Sequence, residues 1–146
     1  MSEPAGGKSG VTEPMAVGAR LAGRSFVAAL LLGAAAFYPT TVLAGPEAAG
    51  PMAAGLGIAL IGAWAGLVPA VAVLNRGQQA LAWGSLLGLG VRFGVTAALA
   101  LVARYAAASP AILLIWVGIG QFVLLGVDVA GLIQLLRPAG EVRGSA

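Results

Sequence analysis

Two charged residues lie well inside apolar stretches of the chain, Arg92 within residues 79–103 and Asp128 within residues 111–136. A charge near the bilayer centre costs about 2.5–3.5 kcal/mol on insertion scales, so it is usually kept with a partner inside the protein. Gln121 lies seven residues before Asp128, on the same helical face, and Thr96 lies one turn after Arg92. Together these residues offer a guanidinium, a carboxylate, an amide and a hydroxyl, the groups of a neutralised ion pair or of an ion path.

The depths of the two charges predict that they meet. Arg92 lies about 20 Å from the start of its apolar stretch, and Asp128 about 12 Å from the end of its own. These depths differ by about 8 Å, but helical side chains lean toward the N-terminus, so on neighbouring antiparallel helices these two lean toward each other. Two interpretations stay open: a pair that only fixes the register of two helices, or a functional site for an ion or for another membrane subunit.

The composition is that of an integral membrane protein. Hydrophobic residues make up 60% of the chain and charged residues 9%, and the mean hydropathy is +0.98. The chain has no cysteine and no histidine, which excludes thiol chemistry, disulfides and the usual haem, zinc and copper ligands. Neither a catalytic constellation nor a metal or cofactor motif is present, so we expect no catalytic residues, no metal site and no cofactor. The net charge is +3, and the basic residues are spread along the chain without a cluster, which argues against nucleic-acid binding.

The apolar runs predict an all-α integral membrane protein whose four transmembrane helices cross the lipid bilayer as two hairpins. We expect a disordered tail over residues 1–19, a transmembrane domain over 20–137 and a C-terminal tail over 138–146. The predicted spans are residues 25–44, 53–74, 79–103 and 111–136. The first run, which follows Arg20 and Arg24 and ends in VLA before Gly45, also fits a cleavable signal peptide.

Small residues at helical spacing predict close helix packing. Gly62 and Gly66 form a small-xxx-small pair in the second span, where Pro69 is expected to introduce a kink. The third span contains Gly84, Gly88, Gly90 and Gly94. These glycines either reflect the general frequency of glycine in membrane helices or allow a neighbouring helix to approach Arg92.

The distribution of basic residues predicts the orientation. Arg104 is the basic residue on one side of the predicted spans, and the other side carries Lys8, Arg20, Arg24, Arg76, Arg137 and Arg143. The positive-inside rule therefore predicts that both termini lie in the cytoplasm, as in a multi-pass protein of the bacterial inner membrane.

Several short motifs occur from the second span onward. The second span ends in Gly66-Leu-Val-Pro69, and a basic loop follows around Arg76. The third span carries Arg92 four residues before Thr96, and the fourth contains Gly118-Ile-Gly-Gln121 and then Asp128. In these motifs, which cover about half of the chain, the sequence resembles the ATP synthase subunit I family, small membrane proteins of bacterial F-type ATP synthase operons.

The resemblance implies a pair of helical hairpins and a non-catalytic accessory role in assembling the ring of c subunits. It also implies contact with the c and a subunits of the synthase, and a role in supplying magnesium has been suggested for the family. Arg92 and Asp128 would act through helix pairing or subunit contact. The alternative is a small cation transporter or channel for magnesium or protons. That function would require a homo-oligomer, because four spans enclose little pore by themselves.

Overall fold

The computed structural model describes residues 14–73, 76 and 78–136. Its four long helices are α1 (Pro14–Ala44), α2 (Ala49–Ala72), α3 (Gln78–Ala106) and α4 (Pro110–Leu136), with a short 3-10 helix at Pro46–Ala48. Each long helix contains a segment that is long and apolar enough to cross a membrane, and the described residues contain no strand. The predicted fold class, an all-α protein with four candidate membrane spans, is confirmed.

The first helix begins earlier than the sequence predicts. Residues 14–19, predicted as part of a disordered tail, form the first turns of α1. Pro14 suits the first position of a helix, and packing against α2 supports the added turns, since a Cβ on Gly18 would lie 3.2 Å from Val71. The rest of the predicted N-terminal tail, residues 1–13, and the predicted C-terminal tail lie outside the described residues.

A tight turn reverses the chain between α1 and α2. Gly45 adopts φ 88°, a left-handed conformation that L side chains rarely adopt, and its carbonyl accepts a hydrogen bond from the Ala48 amide at 3.1 Å. Pro46 follows at the start of the 3-10 helix. This short connection makes α1 and α2 antiparallel neighbours.

Helix α2 is the centre of the bundle. It contacts α1, α3 and α4, and both α3 and α4 contact α2 more extensively than they contact each other. The structure therefore does not show the predicted arrangement into two hairpins. Small side chains allow this packing, because a Cβ on Gly55 would lie 2.7 Å from the Leu113 carbonyl of α4.

Four of the predicted packing glycines lie at the contact between α2 and α3. A Cβ on Gly66 would lie 2.8 Å from the Gly88 carbonyl, and one on Gly84 would lie 3.1 Å from the Pro69 carbonyl. A Cβ on Gly62 would lie 3.1 Å from the Arg92 carbonyl. These glycines let the two backbones approach closely, as the small-residue pattern predicts.

The interpretation of Gly90 and Gly94 as packing residues beside Arg92 is wrong. A Cβ added to either glycine would meet no atom of the described residues within 4 Å, and both residues are exposed on the outer face of α3. The buried stripe of α3 repeats every four residues through Gly84, Gly88, Arg92, Thr96 and Ala100. Residues two positions away from Arg92 point to the opposite side of the helix.

Most large apolar side chains point outward. Exposed examples occur on every helix and include Leu31, Val68, Leu87 and Phe122, while small residues such as Ala59 and Ala63 fill the core. A bundle that is apolar on the outside as well as inside is suited to lipid contact. Together with the four candidate spans, this apolar exterior indicates a multi-pass membrane protein.

Candidate functional site

An ion pair between α3 and α4 lies at the centre of the bundle. The Arg92 guanidinium donates from Nη1 to Asp128 Oδ2 at 2.5 Å, and the two side chains are 5% and 16% exposed. The stripe of α3 that faces α2 points the arginine inward, and α4 runs antiparallel to α3. The contact is the one that the depths of the two residues and the directions of their side chains predict.

Gln121 holds the guanidinium from the other side. Its side-chain Oε1 accepts a hydrogen bond from Arg92 Nε at 2.7 Å, and its backbone carbonyl accepts one from Arg92 Nη2 at 3.2 Å. Its amide nitrogen donates to Thr96 Oγ1 at 2.5 Å and to the Ala59 carbonyl at 3.4 Å. Both amide N–H groups and the amide oxygen are therefore used, which fixes the orientation of the side chain.

Ser25 is a further member of the site, which the sequence pattern does not predict. Ser25 of α1 is fully buried, and its hydroxyl donates to Asp128 Oδ1 at 2.8 Å, with the Leu21 carbonyl 3.1 Å away as a second acceptor within reach. The sequence places Ser25 at the edge of the predicted first span. Because α1 begins eleven residues before Ser25, the hydroxyl instead lies within the helix and reaches Asp128.

Helix α2 contributes space and a backbone carbonyl. At Gly62 a Cβ would overlap Thr96 Oγ1 and would lie 3.0 Å from Gln121 Nε2. The Ala59 carbonyl accepts one of the Gln121 N–H groups. We call the set of Ser25, Arg92, Thr96, Gln121 and Asp128 the polar network; with Ala59 it joins all four helices.

The polar network is electrically neutral and internally satisfied. Every buried side-chain nitrogen or oxygen in the described part of the chain has a hydrogen-bond partner. Charges in a membrane helix are tolerated when they pair with each other and with polar neighbours. Here Arg92, Gln121 and Asp128 all form hydrogen bonds to residues of other helices. The arrangement can fix the register of the helices, and it leaves one edge of Asp128 accessible.

That accessible edge opens into a cleft. The cleft has a volume of about 390 Å³ and is bounded by all four helices, with Arg92 and Asp128 at its inner end. Among residues 14–73, 76 and 78–136, no group of three or more histidine, cysteine, aspartate or glutamate side chains could hold a metal ion. The chemistry of the site is thus that of one paired carboxylate and one paired guanidinium beside an apolar cleft.

Comparisons with known proteins add no relative. No family model, curated protein or solved structure matches the chain.

Proposed function

We propose that the protein is a non-catalytic accessory of a bacterial F-type ATP synthase, resembling subunit I, that assists assembly of the c-subunit ring. In this proposal it lies in the inner membrane with both termini in the cytoplasm. Its outer helix faces contact the c and a subunits.

One observation carries the proposal: residues from separate motifs of the resemblance are neighbours in space. Arg92 and Thr96 of the third-span motif bind Gln121 of the fourth-span motif, and Arg92 pairs with Asp128. Gly66 of the second-span motif packs against the same face of α3. If the motifs define a family fold, their residues are expected to meet in one interior, as they do here. The hydrogen bonds of this interior stabilise a rigid bundle that a partner helix can bind.

Deletion of the gene tests the proposal in the organism that encodes it. We expect a lower yield of assembled c rings and unchanged ATPase and proton-pumping activity per assembled synthase. The gene is also expected directly before those for the a and c subunits. Complementation with wild-type protein provides the control, and an unchanged ring yield after deletion would contradict the assembly role.

A small cation transporter is the second candidate, and the cleft that leads to Asp128 is the observation in its favour. Asp128 is the acidic member of the polar network. Because it pairs with Arg92, the site is neutral and has no excess negative charge that would attract a cation. That neutrality favours the accessory role over transport.

Reconstitution separates the two candidates. Protein in sealed liposomes is tested for magnesium and proton flux, with Asp128→Asn as the variant. The accessory role predicts no flux above that of empty liposomes. A flux that Asp128→Asn abolishes would instead establish transport.

A further inference from the structure

The cleft beside the ion pair has two chemically different ends. Its inner end is formed by Ala63, Arg92 and Asp128, and its outer end by residues such as Val17, Val71 and Ser85. Between these ends the walls are apolar side chains of all four helices, including Leu21, Leu67 and Leu89. The outer end lies where α1 and α3 begin and where α2 ends.

The length of the cleft matches one leaflet of a bilayer. Eight residues of α2 separate Ala63 from Val71, which corresponds to about 12 Å along the helix axis. The hydrocarbon core of a bilayer is about 30 Å thick, so one leaflet contributes about half of that. The volume of about 390 Å³ is also within the range of small-molecule sites.

Two arginines adjoin residues of the outer end of the cleft in the sequence. Arg20 adjoins the lining residue Leu21, and Arg76 lies in the connection between α2 and α3, five residues after Val71. Both side chains are exposed. The two acidic residues of the described chain lie elsewhere: Glu47 is at the opposite end of the bundle and Asp128 is paired.

We propose that the cleft binds an anionic phospholipid, with one acyl chain along the apolar walls and the phosphate near Arg20 and Arg76. Basic pockets between transmembrane helices bind anionic lipid head groups. The acyl chain would cover the accessible edge of Asp128 and exclude water from the ion pair. Because a ligand that binds only the folded state stabilises that state, lipid binding would stabilise the bundle. This inference is independent of the role in ATP synthase assembly.

A second cleft provides an internal control. It has a volume of about 480 Å³ and lies between α1 and α2, with Phe26, Met52 and Leu56 among its lining residues. Among the residues that the structure describes, no charged side chain lines it. A lipid chain in this cleft would therefore show no preference for an anionic head group.

Thermal unfolding of the purified full-length protein in a neutral detergent tests the proposal. Phosphatidylglycerol and phosphatidylcholine with identical acyl chains are titrated separately. We expect phosphatidylglycerol to raise Tm saturably, by roughly 5 °C or more near 100 times its Kd, and phosphatidylcholine to raise it much less. Native mass spectrometry should detect retained phosphatidylglycerol. Equal shifts with the two lipids, or no shift with either, would overturn the proposal.

Two kinds of variant locate the site. Ala70→Trp places a large side chain in the cleft beside the ion pair and should abolish the phosphatidylglycerol shift, whereas Ala53→Trp fills the second cleft and should retain it. The double variant Arg20→Gln with Arg76→Gln should remove the preference between the lipids. This charge variant alters exposed residues and decides the question even if Ala70→Trp does not fold. A preserved preference in the charge variant would assign the lipid effect to another surface.

Discussion

At the scale of single residues, the hydrogen-bond donors of the polar network are matched by acceptors within the bundle. The side-chain amide of Gln121 donates two hydrogen bonds and accepts one, and Arg92 is the donor of the bond that it accepts. Asp128 receives one bond from Arg92 and one from Ser25. Because lipid offers no replacement partner, loss of one member leaves a polar group without its bond in an apolar environment.

The ion pair predicts a compensating double substitution. Arg92→Leu alone should destabilise the protein by about 3–5 kcal/mol, because it leaves the Asp128 carboxylate without its cation. Arg92→Leu combined with Asp128→Leu should recover much of that loss, since an apolar bundle contains no unpaired charge. Abundance in membranes and Tm in detergent measure both effects. Equal damage from the single and double variants would show that the pair has a role beyond neutralising itself.

Ser25 predicts a smaller effect that is specific to α1. Ser25→Ala should lower stability by about 1 kcal/mol, because it removes the bond that joins α1 to Asp128. Thr41→Ala is the matched control, since the Thr41 hydroxyl bonds to the carbonyls of Phe37 and Tyr38 within the same helix. Thermal unfolding of both variants in one detergent gives the comparison. Indistinguishable Tm values for the two variants would argue against the proposed link.

At the scale of elements, one stripe of α3 determines how the bundle packs. Gly84, Gly88, Arg92, Thr96 and Ala100 repeat every four residues, so they form one buried face of the helix. The small members let α2 approach, and the polar members then meet α4 across the space that Gly62 leaves. Helix packing and the polar network therefore depend on the same residues.

Gly62 gives the corresponding prediction. Gly62→Ala should destabilise the protein by about 1–3 kcal/mol, because the added methyl overlaps Thr96 Oγ1 and is too close to Gln121. Gly57→Ala on the same helix is the control: in the described part of the chain its Cβ meets no atom within 4 Å, so it should be neutral or slightly stabilising. Denaturation in mixed micelles measures the difference. A Gly62→Ala protein as stable as Gly57→Ala would contradict the described contact between α2 and α3.

At the scale of the whole molecule, successive helices run in opposite directions, so the two ends of the described bundle would lie on opposite sides of a membrane. The turn at Gly45–Ala48 and the start of α4 lie at one end. The connection between α2 and α3 lies at the other, together with the start of α1. The excess of arginine at this second end predicts that it faces the cytoplasm, where anionic lipids also attract basic segments.

Single cysteines test this orientation, because the natural chain contains none. Glu47→Cys and Gln79→Cys alter exposed residues at opposite ends of the bundle. In intact spheroplasts a membrane-impermeant maleimide should label Glu47→Cys, and it should label Gln79→Cys only after permeabilisation. The reverse pattern would mean that the termini lie outside the cytoplasm.

The four spans and the meeting of Arg92 with Asp128 follow from the chain alone. Span length is set by the thickness of the hydrocarbon core, and an isolated charge in such a span requires a partner. The approximate depths of two charges on antiparallel helices then limit which residues can pair. Gln121 and Thr96 follow from helical periodicity, since each shares a face with one member of the pair.

Tertiary packing decided the roles of Ser25, Gly90 and Gly94 and the central position of α2. Lipid is as apolar as the interior of the bundle, so hydrophobic patterning does not separate the inner face of a membrane helix from its outer face. Periodicity relates residues on one helix, but the identity of the opposing helix depends on shape and on polar contacts across the bundle. Ser25 reaches Asp128 because α1 packs against α4, a contact between segments more than 100 residues apart in the chain.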